Sequence, residues 1–387
     1  MTGWTPSGSG PPRQRTFYRG DGSPIPVSYE ALRSAAESAM SDAATAFVGG
    51  GAGGGSTLSE NRAAFDRWEL VPRVLRDVAD RDLGVEAFDR AVAAPVMVAP
   101  IGAQSVIHES AETAVASAAA ALDIPFALST ASSTPMEAVA ERLGSTPKVF
   151  QLYTASDERL TANLVDRAEA AGYDAIMVTV DMPLRGWIEQ ELEAGAFPPA
   201  DGHGLANYLG DPVFRSALEA PPEEDMDAAI EHYLSVASDP SMTWETIEAI
   251  VGMTELPVLV KGVLHPDDAM RATQVADGLV VSNHGGRSLD GSTAALTALP
   301  EIAKTVDDGL VVFDSGIRRG TDVLKALALG ADLVMIGRPY VYGLALAGET
   351  GVREVFSNIL AELDIALAQT GRPSIDELDR SMLRRTE

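Results

Sequence analysis

The chain has 387 residues, of which 56 are acidic and 29 basic, and its formal net charge is −27. A surface this acidic repels nucleic acid and anionic membranes, so the composition excludes both as partners. The sequence contains no cysteine, which excludes disulfide bonds, thiolate metal sites and a cysteine nucleophile.

The acidic excess has a second implication, because lysine is also rare, with four in the chain. Such a balance suits a protein dissolved in concentrated salt, where charges are screened over ~3 Å at 1 M. We therefore predict a halophilic protein, with an ordinary acidic cytosolic enzyme as the alternative. No apolar run reaches the ~20 residues that a membrane-spanning helix needs, and the N-terminus has no signal-peptide pattern, so a cytoplasmic location is expected.

The N-terminal region divides at a run of glycines. Residues 1–28 are rich in glycine, proline and serine, which predicts a flexible leader. A helix is predicted over 29–47, and a second over 58–67. The intervening run 49–55, GGGAGGG, is interpreted as a sharp turn without a functional role. Residues 29–387 are predicted to form one domain.

From residue 95 onward, short apolar segments recur, and each is followed by a helical pattern. Strands that are buried on both faces require continuous apolar runs, and Ala-rich segments such as 109–122 supply the outer helices. A doubly wound sheet uses the same alternation, but eight strands with no sign of a second domain favour an α/β fold of the (β/α)8 TIM-barrel type. The predicted strands are 95–100, 125–130, 148–153, 175–181, 257–262, 278–283, 310–316 and 333–338.

The segment between the fourth and fifth predicted strands is much longer than the other connections and contains an insertion at about 184–250. It holds Pro198, Pro199, Gly202 and Gly204 and an acidic stretch, which predicts a loop with a short helix over the barrel mouth. We interpret it as a lid; a purely structural elaboration is the alternative.

Polar residues stand at the C-terminal end of nearly every predicted strand, where barrel enzymes place their sites. Several strand ends with this common property argue for a site more strongly than a single motif does. The residues are Ser129, Gln151, Tyr153, Thr179, Asp181, Lys261, Ser282, Asn283, His284, Asp314 and Arg338.

The segments after strands seven and eight, DSGIRRG and IGRP, place glycines beside Arg318 and Arg338. Barrels commonly bind phosphate there, because backbone N–H groups and a helix N-terminus face the anion, and arginine side chains complete the site. A cofactor phosphate and a phosphorylated substrate both fit this pattern.

His284 follows strand six within SNHGGRSLDG. A lone histidine is commonly structural, but the glycine neighbours of His284 and the nearby Arg287 favour a catalytic base. Asp181 would then hold the ring tautomer of His284; the alternative for Asp181 is a helix cap.

Lys261 ends an apolar strand and needs an anionic partner there. It is either a Schiff-base lysine or, as the phosphate pattern favours, a support for a developing anion. No metal site is predicted, since no second histidine follows at metal-ligand spacing.

Six segments in order, FQLYT, TVDMP, VKGVLHPDDA, SNHGGRSLDG, FDSGIRRGTDVLKALALGAD and IGRPYVYGLA, resemble the FMN-dependent α-hydroxy-acid oxidases and dehydrogenases. Within that family the resemblance is closest to the lactate 2-monooxygenases, through KGVLHPDDA, FDSGIR, GRPYVYG, NYLGDPVF and AAFDRWELVPRVL. It implies FMN as cofactor, a 2-hydroxy acid as substrate, oxygen as acceptor and a homotetramer. In a lactate 2-monooxygenase the bound 2-oxo acid is also decarboxylated before release.

The resemblance also implies a role for individual residues. His284 would be the base that takes a substrate proton, Asp181 its partner, Tyr153 a stabilising hydroxyl and Arg287 the contact of the substrate carboxylate. Lys261 would face the N1–C2=O edge of the flavin. The ring and ribityl chain would contact Pro100, Ile101, Gly102, Ser129, Gln151, Thr179, Ser282 and Asp314. The phosphate would contact Ser315, Gly316, Arg318, Gly337 and Arg338.

The sequence departs from the family at the substrate end. Phe47 stands where a tyrosine is usual and Ile188 where an arginine is usual, both near the substrate carboxylate. Each missing charged hydrogen bond is worth about 1.5–3 kcal/mol, so a larger or more apolar 2-hydroxy acid than lactate is expected. Arg185 is a candidate replacement, and Ala131, in place of a tryptophan of the glycolate oxidases, leaves more room.

Two other functions stay open at this point. One is an FMN-barrel isomerase or lyase that acts on a phosphorylated substrate. The other is a flavin-binding protein that has lost turnover through Phe47 and Ile188.

Overall fold

The computed structural model describes residues 12–18 and 22–386. The remainder of the predicted leader lies outside these residues. Within them, helix α1 (Pro12–Tyr18) is anchored by an ion pair of 2.6 Å between Arg13 and Glu354, and Ile25 lies in the hydrophobic core. This part of the segment is therefore structured, because both side chains have partners in the body of the protein.

The helices that precede the barrel are α2 (Tyr29–Ala39), α3 (Asp42–Gly49) and α4 (Ser56–Asp66). The single helix predicted over 29–47 is wrong, because Ser41 caps α3 by accepting a hydrogen bond from the Ala44 amide and so starts a second helix. The glycine run joins α3 to α4. Its Ala52 amide donates to the Gly286 carbonyl at 2.8 Å, so the run belongs to the frame of the barrel mouth instead of being the neutral turn that was expected.

Three short strands follow, namely β1 (Trp68–Leu70), β2 (Val85–Ala87) and β3 (Arg90–Val92), of which β2 and β3 pair with each other. Eight parallel strands then close into a barrel, so the predicted fold is confirmed. They are β4 (Val96–Val98), β5 (Phe126–Ser129), β6 (Lys148–Leu152), β7 (Ala175–Thr179), β8 (Val258–Val263), β9 (Gly278–Val281), β10 (Leu310–Phe313) and β11 (Leu333–Ile336).

Helices alternate with these strands and surround them. The register pairs Ser129 with Gln151 and Thr179 with Lys261, which sets the polar strand ends side by side at one rim. The helices before the insertion are α5 (Ala111–Leu122), α6 (Met136–Leu143) and α7 (Glu158–Ala170). After β8 they are α13 (Pro266–Val275), α14 (Ala295–Ile302), α15 (Gly320–Ala328) and α16 (Arg338–Gln369), and strand β12 (Leu383–Arg385) then pairs with β1.

The core has two layers because every barrel strand is buried on both faces. Side chains such as Met97, Val149, Leu259 and Met335 fill the barrel interior, so it is a packed core and not a pore. The opposite faces of the strands pack against the surrounding helices, with Phe126 and many others completely buried. Among the described residues, no helix is both long and apolar enough to cross a bilayer.

The insertion between β7 and β8 folds into short helices, with a 3-10 turn at Pro198–Asp201. Asn207 fastens it to the barrel, since its Oδ1 accepts from the Met136 amide at 2.8 Å and its Nδ2 donates to the Thr130 carbonyl at 3.0 Å. Residues of this segment consequently reach the rim where the polar strand ends meet. The helices are α8 (Glu189–Ala194), α9 (Ala206–Leu209), α10 (Pro212–Ser216), α11 (Met226–Val236) and α12 (Trp244–Val251).

Candidate active site

A cavity of about 420 Å³ lies at the C-terminal ends of the barrel strands. Fourteen of the eighteen residues to which the family resemblance assigns a role line it. Of the other four, Asp181 and Ser282 are hydrogen-bonded to the lining residues His284 and Lys261, and Gln151 and Thr179 pair with Ser129 and Lys261 in the strand register. The lining residues are Pro100, Ile101, Gly102, Ser129, Tyr153, Lys261, His284, Arg287, Asp314, Ser315, Gly316, Arg318, Gly337 and Arg338.

His284 makes contacts with both of its ring nitrogens. Its Nδ1 lies 2.9 Å from Asp181 Oδ1, and its Nε2 lies 3.3 Å from the Tyr153 hydroxyl. The two rings are stacked at an interplanar angle of 25° with centroids 6.4 Å apart. The imidazole thus has a carboxylate on one side and an open cavity with one hydroxyl on the other.

The protonation of these neighbours fixes the tautomer of the ring. Burial alone would raise the pKa of Asp181, but the charges of His284 and Lys261 outweigh it, and the pKa of Asp181 lies below its ordinary value. An ionised carboxylate can only accept a hydrogen bond, so Nδ1 carries a proton whether the ring is charged or neutral, and in the neutral ring the lone pair is on Nε2, at the cavity. Burial raises the pKa of Tyr153, which keeps its hydroxyl protonated.

Two backbone features bring Asp181 and His284 together. His284 has a φ of 59°, and Gly285 and Gly286 continue in the left-handed region at 67° and 78°, so the chain turns sharply after β9. Gly262 has a φ of 115° within a register shift of β8. A Cβ at Gly262 would lie 2.5 Å from the Asp181 Cβ, so only glycine lets this strand pass so close to the carboxylate.

Lys261 is buried among oxygen atoms. Its Nζ donates to Ser282 Oγ at 3.2 Å and lies 3.5 Å from Asp314 Oδ2. Burial alone would lower the pKa of Lys261, but the Asp314 and Asp181 carboxylates outweigh it and raise the pKa above the ordinary value. A lysine that remains charged is a poor nucleophile, which disfavours the Schiff-base interpretation and favours electrostatic support of an anion.

Arginines converge at the other end of the cavity, beside the turns that follow β10 and β11. Arg338 begins α16 and donates to the backbone carbonyls of Val48, Gly50 and Gly285 at 2.8–2.9 Å. Burial together with the nearby Arg318 and Arg287 charges lowers the pKa of Arg338. This end therefore holds an excess of positive charge that an anion would offset.

The implied cofactor can be tested against the polar atoms that have no protein partner. Gln151 Oε1 and Arg318 Nε are both buried without a hydrogen-bond partner, although Gln151 Nε2 is held by Thr179 Oγ1 at 2.9 Å. Buried polar atoms are normally paired, so these atoms indicate a bound group that donates near Gln151 and carries an acceptor near Arg318. A flavin ring with N–H groups and a phosphate tail has this pattern, and the residues present fit FMN.

At the substrate end of the cavity, two arginines that the sequence singled out share a carboxylate that it did not. Arg287 is not free, because its Nη1 donates to the Phe47 carbonyl at 2.7 Å and its Nη2 to Glu191 Oε1 at 2.6 Å. Arg185 Nη2 donates to the other oxygen of Glu191 at 2.6 Å. Glu191 was missed because it lies in an acidic first turn of α8, where carboxylates are common for helix stability alone.

The wall next to this carboxylate is apolar. Phe47, Ile188 and Ala131 line the cavity, as the departures from the family pattern led us to expect. Further side chains come from the insertion, which no pattern in the sequence identified as cavity-facing. They are Phe197, Pro199, Tyr233, Leu234 and Ala237.

Comparisons with known proteins agree with this geometry. The profile of FMN-dependent dehydrogenases matches residues 36–385. The chain is 40% identical to an L-lactate oxidase of Lysinibacillus sphaericus (strain C3-41) over 92% of each protein. It is 41% identical to a peroxisomal (S)-2-hydroxyacid oxidase of Arabidopsis thaliana, over 87% of this chain and 91% of the relative. A crystal structure of mandelate oxidase with (S)-4-hydroxymandelic acid superimposes with a TM-score of 0.83 at 36% identity, covering 93% of this chain and 99% of the other.

Proposed function

The chain belongs to the FMN-dependent dehydrogenase family and is an FMN-dependent 2-hydroxy-acid oxidoreductase, and on this premise we propose that it oxidises a bulky, apolar 2-hydroxy acid to the 2-oxo acid with oxygen as acceptor. The observation that carries the proposal is the His284–Asp181 pair, which faces a cavity walled by apolar side chains. When bound, FMN supplies the two-electron acceptor for the hydrogen on C2 and returns the electrons to oxygen.

His284 is the base in this proposal. Its Nε2 lone pair takes the proton of the substrate hydroxyl, and the new positive charge on the ring is stabilised by Asp181 through Nδ1. Tyr153 offers its hydroxyl next to Nε2 and so stabilises the oxygen that loses the proton. Base, partner and hydroxyl together move one proton off the substrate without any proton leaving the pocket.

The remaining polar residues hold the cofactor. Lys261, held in place by Asp314 and Ser282, would supply a positive charge to the flavin ring. Gln151, positioned by its hydrogen bond to Thr179, would hold the ring edge, and Arg318 and Arg338 would balance the phosphate. The other contacts proposed for FMN are Pro100, Ile101, Gly102, Ser129, Ser315, Gly316 and Gly337.

The apolar wall supports a substrate that is larger than lactate. Phe47 and Ile188 offer no hydroxyl or guanidinium at two positions of the cavity wall, and the small side chain of Ala131 lines the same cavity. Burying an aromatic or branched substrate side chain against this wall contributes about 1.5–3 kcal/mol to binding. This contribution compensates for the weaker binding of the substrate carboxylate. A 2-hydroxy acid with a phenyl or branched alkyl group at C2 fits best.

We further propose that the insertion 184–250 is a lid and that it favours oxidative decarboxylation, as in the lactate 2-monooxygenases. Tyr233, Leu234 and Ala237 of the insertion line the cavity, which supports retention of the product. A 2-oxo acid that meets hydrogen peroxide before release yields the acid shortened by one carbon, CO2 and water. Product analysis for the 2-oxo acid against the shortened acid tests this step.

The main proposal is tested by anaerobic titration of the FMN-loaded protein with 2-hydroxy acids that differ at C2. Bleaching of the flavin by a phenyl- or branched-alkyl acid, with lactate weaker, is the expected result. Retained colour without bleaching by any acid would favour the flavin-binding protein, and turnover of a phosphorylated substrate without oxygen uptake would favour the isomerase or lyase. The homotetramer and the cytoplasmic location remain predictions, and sedimentation velocity tests the first.

A further inference from the structure

The substrate end of the cavity contains one carboxylate that two arginines share. Glu191 Oε1 accepts from Arg287 Nη2 and Oε2 from Arg185 Nη2, each at 2.6 Å. Glu191 is only 5% exposed, and a carboxylate in such a place requires charged partners. Because both arginines also line the cavity, the cluster of two positive charges and one negative keeps one positive charge for a ligand.

We propose that Arg185 is the second carboxylate-binding residue of this chain and that Glu191 holds it beside Arg287 as a fixed pair. The inference rests on the proposed function, a 2-hydroxy acid substrate, and adds the residue that recognises its charge. Ile188 is 2% exposed and lies in the same cavity wall, where it offers no charge. Arg185, three positions earlier in the chain, therefore supplies the guanidinium that position 188 lacks.

Arg287 alone has little capacity left for a substrate. Its Nη1 donates to the carbonyls of Phe47 and Gly50 at 2.7 and 3.2 Å, and its Nη2 donates to Glu191. Three of the five N–H donors of this guanidinium are thus in use within the protein. Arg185, which shares Glu191 with Arg287, adds further N–H donors for the carboxylate of a substrate.

Arg185 also connects this recognition to the insertion. Its guanidinium stacks over the Phe197 ring at 4.9 Å from the centroid, and Phe197 lines the cavity. Burial raises the pKa of Tyr153, while the charges of Arg287 and Arg185 oppose that rise, so both guanidiniums act on the hydroxyl next to His284. The Arg185 side chain is 39% exposed and lines the cavity, so its charge is accessible to a ligand bound there.

The test uses a ligand that binds but cannot react. In 2-hydroxy-2-phenylpropanoate a methyl group replaces the hydrogen on C2, and its amide has the same shape without the charge. Calorimetric titration of the FMN-loaded protein with each compound measures how much of the affinity depends on the carboxylate. The wild type should bind the acid more tightly than the amide.

In Arg185→Met the acid should bind about 10- to 100-fold more weakly, which is the loss of one charged hydrogen-bonded contact, while binding of the amide should change little. Arg185→Lys keeps the charge but not the planar fork, so its loss should be intermediate. Arg215→Met is the matched control, because Arg215 lies in the same insertion and pairs with the exposed Glu223 away from the cavity. Thermal unfolding midpoints verify that each variant folds, and Arg185→Lys carries the test if Arg185→Met does not.

Two results with the variants would overturn the inference: acid binding in Arg185→Met and Arg185→Lys equal to that of the wild type, or equal losses for acid and amide. The first would leave Arg287 as the sole contact of the carboxylate, and the second would mean that Arg185 only supports the lid. Neither affects the proposed function, which fails separately if no 2-hydroxy acid bleaches the wild-type flavin. A wild type that prefers the amide would reject Arg185 as a charge-recognising residue even if bleaching occurs.

Discussion

The imidazole of His284 and the carboxylate of Asp181 meet at 2.9 Å, although 103 positions of sequence separate the two residues. The contact joins the end of β7 to the turn after β9, across the end of the one strand, β8, that lies between them. In the neutral ring it leaves the lone pair on Nε2, which faces the cavity 3.3 Å from the Tyr153 hydroxyl. The reaction should therefore depend on both residues in different ways.

Replacement of the base should stop substrate oxidation without loss of the cofactor. In His284→Asn the side chain tolerates the left-handed backbone but cannot take a proton, so anaerobic flavin reduction should slow by about 10²–10⁴-fold while FMN stays bound. Stopped-flow reduction by the best acid of the panel measures the rate. His265→Asn is the control, because His265 is an exposed N-cap of α13 and asparagine also caps helices. A near-normal rate in His284→Asn would reject the base assignment.

Replacement of its partner should have a pH-dependent effect on stability. The pKa of Asp181 lies below its ordinary value of 3.8, so the ionised form stabilises the fold above that value, and the stabilisation is lost as the pH falls through the lowered pKa. The difference in unfolding free energy between the wild type and Asp181→Asn should thus be constant from about pH 7 to 5 and shrink toward pH 3. Denaturant titration at each pH measures it, and a difference that grows on acidification contradicts the pairing.

A glycine without a reactive side chain should matter because it lets β8 pass close to Asp181. Gly262→Ala places a methyl group 2.5 Å from the Asp181 Cβ at a φ of 115°, so we expect a loss of about 2 kcal/mol or more and a slower reduction, as Asp181 is pushed away from His284. Gly172→Ala is the control, with a φ of 76° and open space around the new methyl. It should cost about 1 kcal/mol and leave the rate unchanged. Equal rates in the two variants would show that the approach of β8 to Asp181 is dispensable.

The phosphate end should distinguish FMN from riboflavin, which lacks the phosphate. Arg318→Met should weaken FMN about 10- to 100-fold, because one charged contact is lost, and should leave riboflavin binding nearly the same. Fluorescence quenching of each flavin by the cofactor-free protein gives both affinities. Arg319→Met, which removes the next side chain and its exposed pair with Glu30, should change neither. If the affinities for FMN and riboflavin fall equally, Arg318 supports the fold and does not bind the phosphate.

The net charge of −27 predicts that salt stabilises the protein. Screening over ~3 Å at 1 M reduces the repulsion among exposed carboxylates, so the thermal midpoint should rise steadily between about 0.1 and 2 M KCl. Differential scanning fluorimetry with sucrose as an uncharged control measures the effect. A midpoint that is independent of KCl would identify an ordinary acidic protein.

The sequence predicted the barrel and most of the cavity lining because both depend on local patterns. An apolar run that ends in a polar residue defines a buried strand and the point where it reaches the rim, as for Thr179 and Lys261. The arrangement at the substrate end depends instead on how the insertion docks, and nothing in the acidic turn around Glu191 distinguishes an ion-paired residue from a solvated one. Likewise, Arg338 was expected at a phosphate, and its three bonds to backbone carbonyls become visible only when the glycine run is folded against it.

The positive φ of His284 limits what natural variation or a mutant library can offer at this position. That conformation disfavours β-branched and bulky side chains whatever their reactivity, whereas it accommodates asparagine, aspartate and glycine. Most substitutions at position 284 would accordingly cost about 1–2 kcal/mol of stability from the backbone alone. A search for a new reaction in this scaffold has better prospects at the apolar wall, where side chains can be exchanged without a demand on the backbone.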